Sequence, residues 1–308
     1  MSEPWIRLKD VRLSRGGRPV LKGITSELSG RAIGLVGANG AGKTTLIGAL
    51  LGVLRADSGT IQVLGLDLPD EAMQVRSKAG VMAEQAGVFP GGSGVDAVVF
   101  AAMLSGLTRK EALRKTHRAL DALDMGEERY RPVREYSTGM QQRCKLAMSL
   151  VHDPEILILD EPTVGLDPPG RSQLLTLIRD LRDEGRRILI STHIMHDADF
   201  LCDELLLLEA GTVAYSGPVR DLVDQGVGAM EASGEGLDAG FVKALEQRGY
   251  QVDRKDDERI VFDPKEDGDL REFWRLAAER GAEVRELGRG LPSLESAVIQ
   301  AMENAHVR

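Results

Sequence analysis

Gly37-Ala38-Asn39-Gly40-Ala41-Gly42-Lys43-Thr44-Thr45 is the stretch whose reading decides the fold. The apolar run Ala32-Ile33-Gly34-Leu35-Val36 before it suits a buried strand, and Leu46-Ile47-Gly48-Ala49-Leu50-Leu51 after it suits a helix. A Gly-x4-Gly-Lys-Thr segment between a strand and a helix is a phosphate-binding loop. Gly37, Gly40 and Gly42 let the backbone turn tightly, so that several N–H groups converge on one anion. Asn39, Ala41 and Thr45 belong to the same binding set. The N-terminus of the following helix adds partial positive charge. Lys43 supplies a full charge to the outer phosphates, and the Thr44 hydroxyl is placed to ligate Mg2+.

Moving outward, Ile6 to Val11 alternates apolar and polar residues as a half-buried strand does, Gly16-Gly17 marks a turn, and Val20 to Leu28 holds a returning strand. Thr60 to Leu64 is a further strand, so the opening reads as a small antiparallel sheet beside the phosphate-binding core. Ala79 to Ala83 is a short buried strand ending at Glu84-Gln85. Residues 91–150 change to a helical pattern, with Thr108 and Glu111 at capping-box spacing. Ile156-Leu157-Ile158-Leu159 and Arg186 to Ile190 are near-continuous apolar runs separated by a helix over Gly170 to Asp183. Parallel strands buried on both faces read this way, so the class is α/β. Leu205 to Leu208 and Thr212 to Tyr215 flank Gly211 as a final hairpin.

Ser216 to Gly236 is glycine-rich and polar and marks a domain boundary. The pattern divides into a nucleotide-binding domain over 1–217, a linker over 218–235, and a small α+β domain over 236–308. If Ala229-Met230-Glu231 is an edge strand, the last domain has the order βαββαβ, which is ferredoxin-like.

Composition narrows the function class. The 308 residues are 28% charged and 42% hydrophobic, with net charge −9. That balance suits a globular protein and argues against a nucleic-acid partner, which a basic face would announce. No apolar run approaches 18 residues, so nothing spans a membrane alone, and Met1 to Trp5 lacks the features of a signal peptide. Cys144 and Cys202 lie far apart without metal-type spacing and are expected in helices, as buried thiols of a reducing compartment. The expected location is the cytoplasm, free or docked on a membrane partner.

Asp160, at the end of a buried strand, completes a phosphate-loop site by holding Mg2+ directly or through water. Glu161, one residue on, is suited to accept a proton from an attacking water. His193 and His196 suggest a metal pair at first sight, but no third ligand is evident. His117, His152 and His306 read as ordinary structural or surface residues.

Tyr136-Ser137-Thr138-Gly139-Met140-Gln141, taken with the phosphate loop and Ile156 to Pro162, resembles the signature of ATP-binding cassette (ABC) ATPases. Tyr136, Thr138 and Met140 replace Leu, Gly and Gly of the commonest form, while Ser137, Gly139 and Gln141 remain. The variant resembles ATPase subunits of exporters whose membrane domains are separate chains. Ser137 and Gly139 open an expected helix through Leu150, where a hydroxyl, N–H groups and the helix dipole favour an anion.

The resemblance implies a P-loop ABC core with an antiparallel β-subdomain and a helical subdomain. It implies that Ser137 and Gly139 meet the γ-phosphate held by another subunit, a homodimer or a paired similar ATPase. Gln85 matches the glutamine contacting Mg2+ and water, Asp167 the D-loop aspartate, with Val164 for the usual serine, and His193 the switch histidine. ATP and Mg2+ are the implied ligands, and the implied partner is an integral membrane permease docking on 91–150, which puts the chain on the cytoplasmic face of the membrane. The tail, including Leu291 to Val298, is similar to the accessory domain of some exporter ATPases. One departure is that Leu13 to Val20, the region where the family usually carries an aromatic that stacks on adenine, holds none, which leaves Arg15 or Arg18 as a planar cation for the base. Two alternatives remain: a soluble ABC ATPase acting on ribosomes or nucleic acid, and a non-catalytic nucleotide-gated regulator.

Overall fold

The structure is a computed structural model, and it describes residues 3–84, 92–225, 230–250, 252–256, 258–262, 270–289 and 294–306. In chain order the first part contains β1 (Ile6–Arg15), β2 (Arg18–Leu28), β3 (Ala32–Val36), α1 (Lys43–Leu50), β4 (Ser58–Val63), β5 (Leu66–Leu68), α2 (Ala72–Lys78) and β6 (Ala79–Met82). Then come α3 (Gly94–Leu104), α4 (Arg109–Ala122), α5 (Thr138–Leu150), β7 (Ile156–Asp160), α6 (Pro168–Asp183), β8 (Arg187–Thr192), α7 (Met195–Leu201), β9 (Glu204–Glu209), β10 (Thr212–Pro218) and α8 (Val219–Gln225). The second part holds β11 (Met230–Glu235), α9 (Ala239–Glu246), β12 (Val252–Arg254), β13 (Arg259–Phe262), α10 (Arg271–Arg280), β14 (Glu283–Arg289) and α11 (Leu294–His306). Two compact units result, Met1–Val219 and Arg220–Glu303, so α8 from Arg220 onward goes with the second.

Two sheets build the first unit. One is antiparallel, in the order β2-β1-β4-β5. The other runs β10-β9-β3-β8-β7-β6, parallel from β9 to β6, with β10 antiparallel at its edge. All five residues of β3 and of β7 are buried, as expected of strands covered on both faces. Leu46 and Leu50 of α1 share one core with Ile24 and Leu28 of the antiparallel sheet and with Ile33, Ile158 and Leu206 of the parallel one. Each fully buried aliphatic side chain of that core contributes about 1.5–3 kcal/mol. The core therefore fixes α1, and with it the phosphate loop, against both sheets.

The helices α3, α4 and α5 lie within 91–150. Ser93 and Asp96 form a capping box on α3, and Thr108 and Glu111 form one on α4, as the spacing predicts. Two short 3-10 turns, Glu127–Tyr130 and Val133–Glu135, lead into α5. Arg129 braces them by donating to the carbonyls of Met125 and Gly126 and by pairing with Asp121. Cys144 lies in α5 and is buried, and burial pushes its thiol up to about 12. Cys202 is buried too, but it stands just past α7 in extended conformation rather than within a helix.

In the second unit the four strands run β12-β13-β11-β14 with every neighbour antiparallel, the ferredoxin-like arrangement. Met230 is therefore on a central strand and not an edge one, because the split β-α-β connections leave a slot that β13 fills. Of the span expected as linker, 219–225 is helical and 230–235 is strand. Phe241, Phe262 and Phe273 form the aromatic centre of this unit, with Phe262 stacked on Phe273 at 4.6 Å.

Candidate functional site

The phosphate loop follows β3, whose five parallel-paired residues hold its start rigidly between β8 and β9. Gly37 passes so close to β9 that a Cβ there would lie 2.4 Å from the Leu208 carbonyl oxygen. Gly42 holds φ at 109° immediately before α1, a conformation that favours glycine. No side chain caps α1. Its first N–H groups, which no helix can satisfy internally, face outward together with the positive end of the helix dipole.

The carboxylates come from β7. Asp160 lies in register with Ser191 of β8. Ser191 Oγ donates to Asp160 Oδ1, and Thr44 Oγ1 donates to Oδ2 at 3.1 Å. Glu161 adopts a left-handed backbone at φ 50°, and its N–H donates to the Ser191 carbonyl at 3.0 Å. Such a conformation in a residue with a side chain costs on the order of 1–3 kcal/mol and is found where function needs it. Glu161 Oε1 lies 3.4 Å from Lys43 Nζ, and Oε2 shares a 2.9 Å hydrogen bond with His193 Nδ1. Lys43 Nζ also donates to the Gly37 carbonyl at 2.7 Å.

Asn39, Gly40, Gly42, Lys43, Thr44, Thr45, Asp160, Glu161 and His193 line a single cavity of about 520 Å³. Gly37 and Ala41 are buried beneath it, Gly37 accepting from Lys43 and Ala41 N–H donating to the Ala38 carbonyl. Arg15 and Val20 form another part of the wall, where sequence had left Arg15 and Arg18 as equals. A basic cradle with a hydroxyl and a carboxylate side by side fits a nucleotide polyphosphate and a hard divalent cation, which takes one or two carboxylates plus phosphate oxygens. Among the described residues no group of three or more His, Cys, Asp and Glu is placed to hold a metal ion, and His196 lines a different recess from His193, with Leu166, Arg171 and Phe200.

Ser137, Gly139, Gln141 and Asp167 are elsewhere. Ser137 caps α5, its Oγ accepting from Met140 N–H at 3.3 Å, and Gln141 Nε2 donates to the Tyr136 carbonyl at 3.2 Å. Asp167 caps α6 by accepting from Gly170 N–H. The two helix starts adjoin: Gln142 Nε2 donates to the Val164 carbonyl at 3.3 Å, and a Cβ on Gly139 would stand 3.8 Å from the Leu166 side chain. Gln85 lies outside the described residues.

Sequence reading missed Asp197, which is fully buried on α7. It accepts from Thr163 Oγ1 at 2.5 Å and from Arg171 Nε at 2.7 Å. One carboxylate thus joins the loop after Glu161, helix α6 after Asp167, and helix α7 after His193. Its position in the first turn of a short helix just after His193 was the available signal. Ser191 was also missed, although its register opposite Asp160 follows from pairing the two apolar strands.

A family model described as ABC transporter matches residues 21–164. The daunorubicin resistance ATP-binding protein DrrA3 of Streptomyces coeruleorubidus is 31% identical over 96% of this chain and 95% of its own length. The Nod factor export ATP-binding protein I of Ralstonia nicotianae is 33% identical over 77% of this chain and 75% of its own. Among solved structures, cbiO1 of Clostridium perfringens, part of the ABC transporter complex cbiONQ, superposes with a TM-score of 0.65 at 27% identity, covering 73% of this chain and 92% of that one.

Proposed function

The chain belongs to the ABC transporter family as an ATP-binding and ATP-hydrolysing subunit, and on that premise we propose that two such subunits close head to tail around two ATP molecules to drive export through a separate membrane permease. The observation that carries the reading is the division of the polar groups. Lys43, Thr44, Asp160, Glu161 and His193 converge on one cavity, while Ser137 and Thr138 are exposed away from it on the same unit. A second copy would bring its Ser137 and Gly139 to the cavity mouth, and the adjoining Asp167 helix start to the same interface.

In this reading the α1 N–H groups and Lys43 bind the β- and γ-phosphates. Thr44 and Asp160 hold Mg2+, which when bound supplies Lewis-acid stabilisation of charge on the phosphate oxygens. Glu161 accepts the proton of the attacking water, and His193, hydrogen-bonded to Glu161, orients that carboxylate and faces the γ-phosphate. Arg15 lies over the base as the planar cation that replaces an aromatic. Gln85 retains its proposed role at the metal and water.

Export is supported by the names of both relatives, one for resistance and one for export. No helix among the described residues is long and apolar enough to cross a membrane, and in this reading a separate permease supplies the transport path. Phe100, Met103 and Leu104 at the end of α3 and Leu113 of α4 are exposed large apolar residues suited to a permease helix. Neither relative carries a name tied to ribosomes or nucleic acid. The test is to purify the chain from gently solubilised membranes and to weigh Glu161→Gln with and without Mg-ATP. A stoichiometric polytopic protein and an ATP-dependent dimer are expected. Recovery with ribosomes or nucleic acid, and a monomer at all ATP concentrations, would overturn the reading.

A further inference from the structure

Tyr136 departs from the commonest residue of the signature, and the structure shows what the departure does. The ring is buried, at 5% exposure, immediately before the exposed Ser137. Its hydroxyl accepts from Gly94 N–H at 3.1 Å and donates to the Glu128 carbonyl at 3.0 Å. Gly94 is the first residue of α3, so its N–H is one of the donors the helix cannot satisfy itself. A Cβ on Gly94 would stand 2.3 Å from the Tyr136 oxygen, so the site accepts a hydroxyl only because residue 94 has no side chain.

Burial raises the phenol above its ordinary value of 10, so the hydroxyl keeps the proton it donates. A backbone seam runs alongside, with Val133 N–H donating to the Gly92 carbonyl at 3.0 Å. At its other end Tyr136 is held through its own carbonyl by Gln141 Nε2. Leucine at this position offers neither a donor nor an acceptor.

We propose, resting on the paired-subunit reading above, that the Tyr136 hydroxyl is a positioning group that locks the start of α5 to the start of α3. The exposed Ser137–Gly139 surface and the apolar end of α3 then move as one body. A permease that moves α3 thereby moves the groups offered to the ATP of the opposite subunit. The side chain touches no nucleotide and acts only through Ser137 and Gly139.

The experiment uses the full chain. ATP-driven dimerisation is measured in the Glu161→Gln background with and without Tyr136→Phe, and nucleotide affinity is measured at protein concentrations where only monomer exists. Tyr136→Phe leaves the buried Gly94 N–H without its partner, while the Glu128 carbonyl keeps the Arg131 N–H, and a weakening of dimerisation by about tenfold is expected, with monomer affinity unchanged within about twofold. Gly94→Ala attacks the same link from the other side and should weaken dimerisation similarly, and adding Tyr136→Phe to it should cost little more. If Glu161→Gln alone forms no dimer, the paired reading fails and this proposal with it. If Glu161→Gln dimerises and either single change leaves that dimer as strong, the tie is not used. A fall in melting temperature with undiminished dimerisation would likewise reduce Tyr136 to a structural role.

Discussion

The starts of α1 and α5 are built from similar small and polar residues and end in opposite conditions. α1 begins after a left-handed glycine with no side-chain cap, and Lys43 beside it is only 7% exposed. α5 begins after Ser137, which is exposed and spends its hydroxyl on its own helix. Around α1 the buried charged groups have partners in the same unit: Lys43 with Glu161, Asp160 with Thr44 and Ser191, Glu161 with His193. Around α5 the polar groups face away from that cavity. A buried charge must be paired within its own fold, whereas a surface helix start can wait for a partner. One unit therefore holds a set of charged groups paired around a cavity and, away from it, a second set of exposed helix-start groups.

The sharpest way to break this contrast is at Glu161. Glu161→Gln keeps the shape and removes the proposed base, and ATP turnover should fall by about 10²–10⁴ while ATP still binds. Steady-state hydrolysis with the membrane partner checks it, and turnover within a few-fold of the parent would remove Glu161 as the base.

Asp197→Asn comes next. It keeps the Thr163 contact and weakens the Arg171 pair, whose arginine is a quarter exposed. The loss of stability should be about 1–2 kcal/mol after allowing for solvent at the arginine, with turnover down about tenfold through misplacement of Glu161 relative to His193. A fall in kcat without a matching change in KM separates positioning from binding.

Ser137→Ala tests the open surface. It should cost α5 about 1 kcal/mol of capping and leave monomer nucleotide affinity untouched, while pairing in the Glu161→Gln background weakens several-fold. Equal weakening of both would mean that the two helix starts are not separate in function. Arg15→Ala, at the cavity wall, should reduce ATP affinity by about fivefold, and Arg18→Ala should not. Equal losses for ATP and GTP in Arg15→Ala would deny it contact with the base.

The smallest effect is at a helix start with no part in the chemistry. Ser93→Ala should cost about 1 kcal/mol of stability and leave ATP binding alone. The Ser93 hydroxyl, and then its N–H, hold the Asp96 carboxyl below its ordinary value of 3.8. The ionised form is the stabilised one, so this contribution is present above pH 3.8 and is lost as pH falls through the lowered value. Chemical denaturation from pH 6 to pH 3 should show a smaller acid-dependent loss in Ser93→Ala than in the parent.

Much of this was legible from local pattern. Gly37 to Thr45 between a strand and a helix, the apolar run ending at Asp160-Glu161, and the Thr108–Glu111 spacing each report a short-range rule that the chain obeys in place. Asp197 was not legible in the same way. Its partners Thr163 and Arg171 are 34 and 26 residues away in sequence, and a carboxylate after a histidine reads as ordinary surface until α7 is folded onto α6. The central place of Met230 was hidden for a related reason. Strand order in a split sheet is set by which connections cross a helix, and alternation along one strand does not carry that information.

The sequence by itself determined the class of site: the phosphate-loop pattern, the carboxylates that follow it, and the order in which the motifs run. It could do so because a phosphate loop is a continuous segment whose glycines, lysine and threonine act within one turn of chain. The tertiary structure alone decided which groups share the cavity, that Arg15 and not Arg18 reaches its wall, and that Tyr136 ties the signature to α3. Those are contacts between segments distant in the chain, and their distances exist only after the cores around α1 and behind α5 have packed.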